Sequence, residues 1–566
     1  QIYSTASYQR GNLNGVLFVG NNLTGWNLAG QDLAGANFVN AWLMDADFTG
    51  ANVTSTKFRA TPTRGITSAQ LYSTESYQGG DLSGIDLGSS ELTGWDFSGQ
   101  DLTGASFKGS KMSETNFSSA NLTDAVFQSA WLVGSDLDSA NLTRANFSNA
   151  TLSNVDLSNV VLDYANLSSS TLTNSNLSGA DLVFADMRQS ALGGASLADA
   201  NIHGAILQGT TRLGLTASQL YSTASYQDGD LSEVDFGSND LTGWSFVNQN
   251  LTRARFSSST LQDAGMDGAV IAGASLRVTT QYGFTPAQLY STASYQTGDL
   301  RGLDLSVNDL TDWDLSEQNI ADGLILSAAL IRADLHGSNL TSVQFGLDTT
   351  LVGAKLDAAD ARGADMPRLS EVGSMDNFIH PDGHVEGLQL AGQASMRLWD
   401  YNPASESPMI DILVEDVFSM DSGSTLRNVF EDNEWGGLVR FDENDGLGVD
   451  VSLAGTLELG LSNELSFAEV SELNGTTYQL FDWTNANVTG WFDTVTIRPA
   501  WGFFDISQLA HSGAVTFWVP EPVGVWAQNG PVPAPGTLSM LLGVSGVLLR
   551  RSRRDQCSHF AVGMNP

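Results

Sequence analysis

The stretch Ala120-Asn121-Leu122-Thr123-Asp124-Ala125-Val126-Phe127-Gln128-Ser129-Ala130-Trp131-Leu132 decides the fold. Leu122, Phe127 and Leu132 stand five residues apart, each two places after an alanine. The beat runs both ways. From Leu82 through Leu87, Leu92, Phe97, Leu102, Phe107, Met112 and Phe117, and onward to Leu207, every fifth position is Leu, Phe, Met or Ile, 26 in one register. Neither a 3.6-residue helix nor a period-two strand keeps a five-residue stripe on one side over that length. A chain wound into a coil, with one short straight segment per five residues, does. The apolar centres are the expected structural core, the small residue two places earlier gives clearance, and the Asp or Asn between them is an expected solvated corner.

Four runs of this beat can be laid out: residues 1–60, 80–209, 229–278 and 298–368, the last slipping by one residue near Leu351. Between them lie inserts at 61–79, 210–228 and 279–297, sharing the core seen in Thr216-Ala217-Ser218-Gln219-Leu220-Tyr221-Ser222-Thr223-Ala224-Ser225-Tyr226-Gln227. Thr67 with Gln70, Thr216 with Gln219, and Thr285 with Gln288 fit a capping box, and Pro286 sits where a first-turn proline belongs. Each insert is therefore predicted as a short helix; its tyrosines (Tyr72/Tyr77, Tyr221/Tyr226, Tyr290/Tyr295) lie some 140° apart on an ideal helix, so either one ring per insert is buried or the helix ends between them. If four pentapeptides make one turn, the first three runs each end two segments into a turn, and an insert covering the other two restores the phase. All three helices are then expected along one side of the coil. Trp26, Trp95, Trp244 and Trp313 each fall in the fourth pentapeptide after an insert motif, placed to pack on its tyrosines.

The pattern in Ala120-Asn121-Leu122-Thr123-Asp124 and Ala180-Asp181-Leu182-Val183-Phe184 resembles the pentapeptide-repeat proteins over about residues 11–366. The resemblance implies a right-handed quadrilateral β-helix with the Leu/Phe centre and the small residue pointing inward. The fold class expected is all-β: this helix with three short helical inserts, then an all-β domain, then a short C-terminal hydrophobic helix.

The net charge of −38 over 566 residues opposes binding to nucleic-acid phosphate or anionic lipid, so no nucleic-acid partner is expected. The one cysteine, Cys557, excludes an intrachain disulfide. The chain starts without Met or an apolar leader, inside the insert motif, which reads as a truncated or processed terminus.

After Pro367 the beat stops, and residues 370–522 hold 25 acidic against 4 basic side chains. Alternating stretches at 449–453, 455–459, 477–483, 494–497 and 514–518 read as strands, with turn signals at Asp382-Gly383, Asp445-Gly446 and Asn474-Gly475. An all-β domain over 370–519 is expected, either a sandwich or an extension of the solenoid that covers its last edge. The segment 455–519 is similar to regions that precede the anchor in exported bacterial surface proteins. Asp442-Glu443-Asn444-Asp445-Gly446 offers oxygen ligands of the kind Ca²⁺ takes, but its spacing misses the EF-hand loop and a solvated turn is the favoured reading. His380 and His384 lack the Glu of a zinc-protease motif, and His203 and His336 each sit alone in a repeat.

A Pro/Gly linker (520–536) leads to an uncharged stretch, 537–549, shorter than the roughly 20 residues a spanning helix needs. Arg550, Arg551, Arg553 and Arg554 follow it, as positive-inside anchoring expects, and 555–566 form a tail. Pro533, Ala534 and Pro535, the apolar stretch and the arginines resemble the PEP-CTERM sorting signal of Gram-negative envelopes, planctomycete-like bacteria among them. Ala534 replaces the usual Glu, and the tail extends past the usual end. The resemblance implies an exosortase-type transpeptidase as partner, with membrane contact through 537–549.

No nucleophile elbow, phosphate-cradling glycine loop, body thiolate or metal cluster stands out. The expected function is non-enzymatic: an exported, acidic, rigid repeat protein of the cell envelope or cell surface, in structure, adhesion or partner binding, its ligand unassigned and no cofactor required. Its rivals are an ice- or surface-binding protein, a DNA-mimic pentapeptide protein binding a topoisomerase, and an enzyme hidden in 370–522.

Overall fold

The computed structural model describes residues 2–59, 67–400, 409–415, 417–430, 438–441, 449–461, 477–484, 486–490, 492–497, 503–506 and 508–518. The chain divides into two compact units, Gln1–Thr297 and Gly298–Pro566.

In the first unit the backbone repeats one five-residue shape. The centre residue, for example Leu102, turns its side chain inward, and the amide of Ala105 donates back to the Leu102 carbonyl at 2.9 Å. The residue two places after the centre takes a left-handed conformation, as Gly104 does at φ 66° and Asp124 at φ 59°, so each repeat closes in a type II turn. That requirement explains the Gly, Asn, Asp and Ser so common at this position. The residue before the centre accepts from its own turn: Asp101 Oδ1 takes the Thr103 amide at 3.0 Å.

Parallel bridges join residues 20 apart, as in Asp101↔Asn121↔Asn141, so one turn of coil is four pentapeptides. Residues 20 apart form four columns. The column containing Asn12 and Asp32 is the first, that of Leu17 and Asn37 the second, of Asn22 and Trp42 the third, of Asn27 and Asp47 the fourth.

The interior is lined by the apolar centres. Leu82, Leu87, Leu92, Phe97, Leu102, Phe107, Phe117, Leu122, Phe127 and Leu132 are all fully buried. Phenylalanines one turn apart stack, Phe97 on Phe117 at 5.3 Å and Phe127 on Phe147 at 4.6 Å. Where the small residue is a hydroxyl, it commonly donates to a centre carbonyl, of the preceding turn for Thr115 (Leu92, 3.0 Å) and Ser110 (Leu87, 2.8 Å) and of its own repeat for Ser190 (Met187, 2.7 Å). A buried hydroxyl is tolerated because it has that partner.

Among the described residues each insert holds two short α-helices rather than one, and the second and third also hold a 3-10 turn, Thr211–Leu213 and Thr280–Tyr282. The α-helices are α2 (Ser68–Tyr72) and α3 (Glu75–Gln78), α4 (Ala217–Tyr221) and α5 (Ala224–Gln227), and α6 (Pro286–Tyr290) and α7 (Ala293–Thr297); α1 (Ala6–Gln9) is a further copy of the second half. Capping boxes close α2, α4 and α6 at Thr67/Gln70, Thr216/Gln219 and Thr285/Gln288. The break between the paired helices comes at a second N-cap, Thr74 or Thr223, whose hydroxyl takes the amide of the next tyrosine.

Across an insert the second column bridges Lys57 to Asp86 and Ile206 to Asp235, 29 residues apart instead of 20, and the columns continue in phase. Each insert lies on the third and fourth columns. Gln70 Nε2 donates to the carbonyls of Leu43 (3.0 Å) and Ala46 (2.8 Å), and Gln219 and Gln288 repeat this on Leu192/Ala195 and Leu261/Ala264 at 2.8 Å.

In the second unit the same coil runs from Leu300, and bridges Ala329↔Thr350 and Asp334↔Lys355 lengthen one turn by a residue. The extra residue bulges at a corner and leaves Leu347 92% exposed. The coil then widens. β1 (His384–Val385), β4 (Ile412–Val414) and β7 (Val439–Phe441) make one parallel sheet. β2 (Leu388–Leu390), β5 (Val417–Met420), β8 (Val449–Leu453) and β11 (Ala486–Gly490) make a second. β3 (Ser395–Trp399), β6 (Thr425–Phe430), β9 (Thr456–Leu461) and β12 (Thr494–Ile497) make a third.

Every neighbour in these sheets is parallel, which a sandwich of hairpins does not give, so the acidic region is a solenoid of wider turns. Bridges Lys355↔Ser374 and Asp360↔Ile379 join it to the pentapeptide turns. Leu388, Phe418 and Val451 stack along the second sheet, and Leu398, Leu426 and Leu457 fill the third, all buried. A small antiparallel sheet of β10 (Thr477–Gln479), β14 (Ala514–Trp518) and β13 (Phe503–Asp505) follows.

Candidate functional site

The outward positions of the coil carry the chemistry. Cations there are matched to acids one turn earlier: Arg144 Nε lies 2.7 Å from Asp124, Lys111 Nζ 2.8 Å from Glu91, and in the second unit Lys355 Nζ 2.7 Å from Asp334. Arg144 holds Asp124 below the ordinary carboxylate range through its hydrogen bonds. Where burial outweighs such partners the sign reverses. Burial, then the neighbouring Asp181, pushes the Asp163 carboxyl up.

The inserts add an aromatic clamp on the fourth column. Tyr72 Oη accepts the Asp96 amide at 2.5 Å, and Tyr77 Oη donates to the Asp96 carbonyl at 2.9 Å, their rings 4.4 Å apart. Tyr221 and Tyr226 grip Ser245 in the same way, and Tyr3 and Tyr8 grip Asn27. Trp95 packs edge-on to Tyr72 at 6.3 Å and Trp26 lies 5.8 Å from Tyr3. Burial, then the charge of Asp96 and then Tyr72, raises the Tyr77 phenol to about 12.

One groove opens beside the second insert, about 620 Å³ in volume, lined by Thr211, Arg212, Thr216, Asp240, Trp244 and Thr260 among others. Asn239 braces it: Nδ2 donates to the carbonyls of Leu207 and Phe236 at 2.9 Å, and Oδ1 accepts the Thr211 amide at 2.9 Å. Hydroxyls, one guanidinium and one carboxylate suit a polar ligand. They do not form a nucleophile–base–orienter set.

Four histidines, His203, His336, His380 and His384, have ordinary neighbours. His203 Nδ1 meets Ser232 Oγ at 3.1 Å, and its ring lies 5.5 Å from Phe184. His336 Nε2 is 3.9 Å from Glu317, His384 lies between Asp382 (3.3 Å) and Glu415 (3.5 Å), and His380 packs on Phe378 at 4.8 Å. Among the described residues no group of three His, Cys, Asp or Glu side chains is placed to hold a metal ion. None of their helices is long and apolar enough to cross a membrane. The calcium candidate Asp442–Gly446, the sorting residues Pro533, Ala534, Pro535, Arg550, Arg551, Arg553 and Arg554, and the expected C-terminal helix over 537–549 lie outside the described residues.

Sequence reasoning missed two contacts in the second unit. Arg362 and Asp360 form a fully buried ion pair at 2.6 Å, with Arg362 also donating to the carbonyls of Trp399 (3.0 Å) and Ile410 (3.1 Å). Arg397 of β3 reaches Glu317, 80 positions earlier, with Nη2 at 3.0 Å from its carboxylate and Nη1 donating to its carbonyl at 3.0 Å.

Comparison with known proteins agrees with the repeat geometry. The family model described as pentapeptide repeats matches eight copies within residues 12–59, 81–118 and 120–211. Among solved structures, HetL of Nostoc sp. strain PCC 7120, a pentapeptide repeat protein involved in heterocyst differentiation regulation, is 21% identical, with 56% of this chain and 98% of that chain covered and a TM-score of 0.18. A pentapeptide repeat protein from the Arabidopsis thaliana thylakoid lumen is 33% identical over 20% of this chain and 68% of that chain, at a TM-score of 0.11. QnrB1, a plasmid-mediated fluoroquinolone resistance protein, is 16% identical over 39% and 88%, at 0.19. No curated protein matches the sequence. Eight recognised copies of the repeat, on a backbone whose bridges recur every four pentapeptides, identify the stretch within residues 12–211 as pentapeptide repeats.

Proposed function

We propose that the protein is a non-enzymatic scaffold of the cell envelope, exported and sorted through its C-terminus, which displays a stiff acidic coil for adhesion or partner binding. In this reading the coil is the right-handed, four-sided helix of pentapeptide-repeat proteins. The observation that supports it most is the pairing of cations one turn from an acid, as in Arg144–Asp124 and Lys111–Glu91. Each such pair neutralises a basic side chain within the coil, and the acidic surplus behind the net charge of −38 remains. Such a surface repels phosphate backbones and anionic lipid and keeps neighbouring copies apart.

The C-terminal segment supplies the address: Pro533-Ala534-Pro535, the uncharged stretch 537–549 and the cluster from Arg550 to Arg554 are read as the substrate of an exosortase-type transpeptidase. Cell fractionation of the full chain and of a chain ending at residue 532 tests this, with the mature mass measured. The full chain is expected in the envelope fraction with its tail removed, and the shortened chain elsewhere. Identical cytosolic distribution of both, at unprocessed mass, contradicts the proposal.

A further inference from the structure

Against a net charge of −38, the first unit has uncharged stretches, residues 11–31 and 33–44 near its start and a face spanning three turns further on. In the three turns from Ala125, the second and third columns comprise residues 125–134, 145–154 and 165–174, and none of these is Asp, Glu, Lys, Arg or His. Asp136, Asp138, Arg144, Asp156 and Asp163 all fall on the other two columns. Charge returns on the same columns one turn earlier at Lys108 and Lys111 and one turn later at Asp186 and Arg188.

The neutral face is ordered. Bridges Val126↔Asn146↔Asn166 and Trp131↔Thr151↔Thr171 set its side chains in two files of rungs, spaced by the roughly 4.8 Å between neighbouring strands. The Asn146 and Asn166 carboxamides are fixed by the amides of Ser148 and Ser168 at 3.0 Å. Trp131 stands 51% exposed at one end, and Tyr164, 59% exposed and stacked on Phe184 at 5.3 Å, stands at the edge. Half-exposed aromatics on a polar face are the usual mark of a contact surface.

We propose that this face binds a neutral polysaccharide. Indole presents a flat apolar surface to the C–H face of a sugar ring, while hydroxyl and carboxamide rungs exchange hydrogen bonds with sugar hydroxyls, directly or through water. Anionic polymers are repelled by the flanking carboxylates, and a cationic chain settles on the acidic columns rather than here. Trp131 and Val126 interrupt the uniform hydroxyl array that an ice lattice would match. The inference deepens the adhesive reading above and rests on it only for the setting in which the glycan is met.

The test is affinity electrophoresis of the full chain in native gels containing dextran, laminarin or hydroxyethyl cellulose, with dextran sulfate as the charged control. Retardation by at least one neutral polymer and none by dextran sulfate is expected. Trp131→Ala should weaken it at least five-fold, Thr151→Asp/Thr171→Asp should abolish it, and Asp136→Asn/Asp156→Asn should leave it unchanged. These positions lie outside the coil interior, and unchanged circular dichroism confirms folding. Absence of retardation by all three polymers, retardation that survives Thr151→Asp/Thr171→Asp, or thermal hysteresis in place of glycan binding overturns the proposal. The readout uses purified protein, so it fails or succeeds independently of whether the chain reaches the envelope.

Discussion

The hydroxyl of Tyr77 donates to the backbone carbonyl of Asp96 at 2.9 Å, one turn further along the coil. Together with Tyr72, which takes the amide of the same residue, it fastens an insert to the repeat that follows it. Removing one such hydroxyl, Tyr77→Phe, should cost about 1 kcal/mol, the ordinary net worth of a hydrogen bond. A fall in the urea midpoint without a change in slope is the expected readout.

The same clamp should open in alkali. Folding raises the Tyr77 phenol from 10.0 to about 12, so the folded state holds a proton that the unfolded chain has lost between those values. The stability it contributes is complete below pH 10 and is lost as pH rises toward 12. Spectrophotometric titration should show late phenolate formation in the folded protein, and Tyr77→Phe should remove that late component.

Phe127 is fully buried and stacks on Phe107 at 5.1 Å and on Phe147 at 4.6 Å. Phe127→Ala empties a rung of the coil and should cost about 3–5 kcal/mol. Because repeat arrays lose stability locally, hydrogen exchange should quicken most in the turns adjoining residue 127.

Arg362 and Asp360 are both fully buried. Arg362→Met strands the carboxylate and should cost about 3–5 kcal/mol, while Asp360→Leu/Arg362→Met should recover most of that loss. Chemical denaturation of the two variants beside the parent distinguishes the pair from its isolated charge.

The repeat was legible because its determinants are local. A centre residue, a small residue and a left-handed corner all lie within five positions, so Leu82 to Leu207 could be placed by counting. The capping boxes at Thr67 and Thr216 are equally local, and so is the break at Thr74: tyrosines five apart lie some 140° apart round one helix, a spacing that leaves room for the helix to end between them. The buried pair was not legible. Asp186-Met187-Arg188, Asp299-Leu300-Arg301 and Asp360-Ala361-Arg362 share one local pattern, yet the arginine side chain is 51% exposed in the first, 38% in the second and 0% in the third. The difference lies in chain near Trp399 and Ile410, some forty positions later. The parallel pairing of β2, β5 and β8 was hidden for the same reason: alternation identifies a strand, whereas its partner about 30 residues away is set by tertiary packing. The neutral face was also beyond sequence reading, since its residues come together only once columns are assigned.

The coil requires columns that stay in phase across the inserts, and disulfide trapping tests that most directly. In a Cys557→Ser background, Lys57→Cys/Asp86→Cys pairs two bridged residues of one column, within the reach of a disulfide. Lys57→Cys/Glu91→Cys pairs residues of adjacent columns as a control. Rapid, near-complete oxidation of the first pair and none of the second is the predicted result. Failure of the Lys57/Asp86 pair to close, or closure of Lys57 with Glu91 in its place, would contradict it.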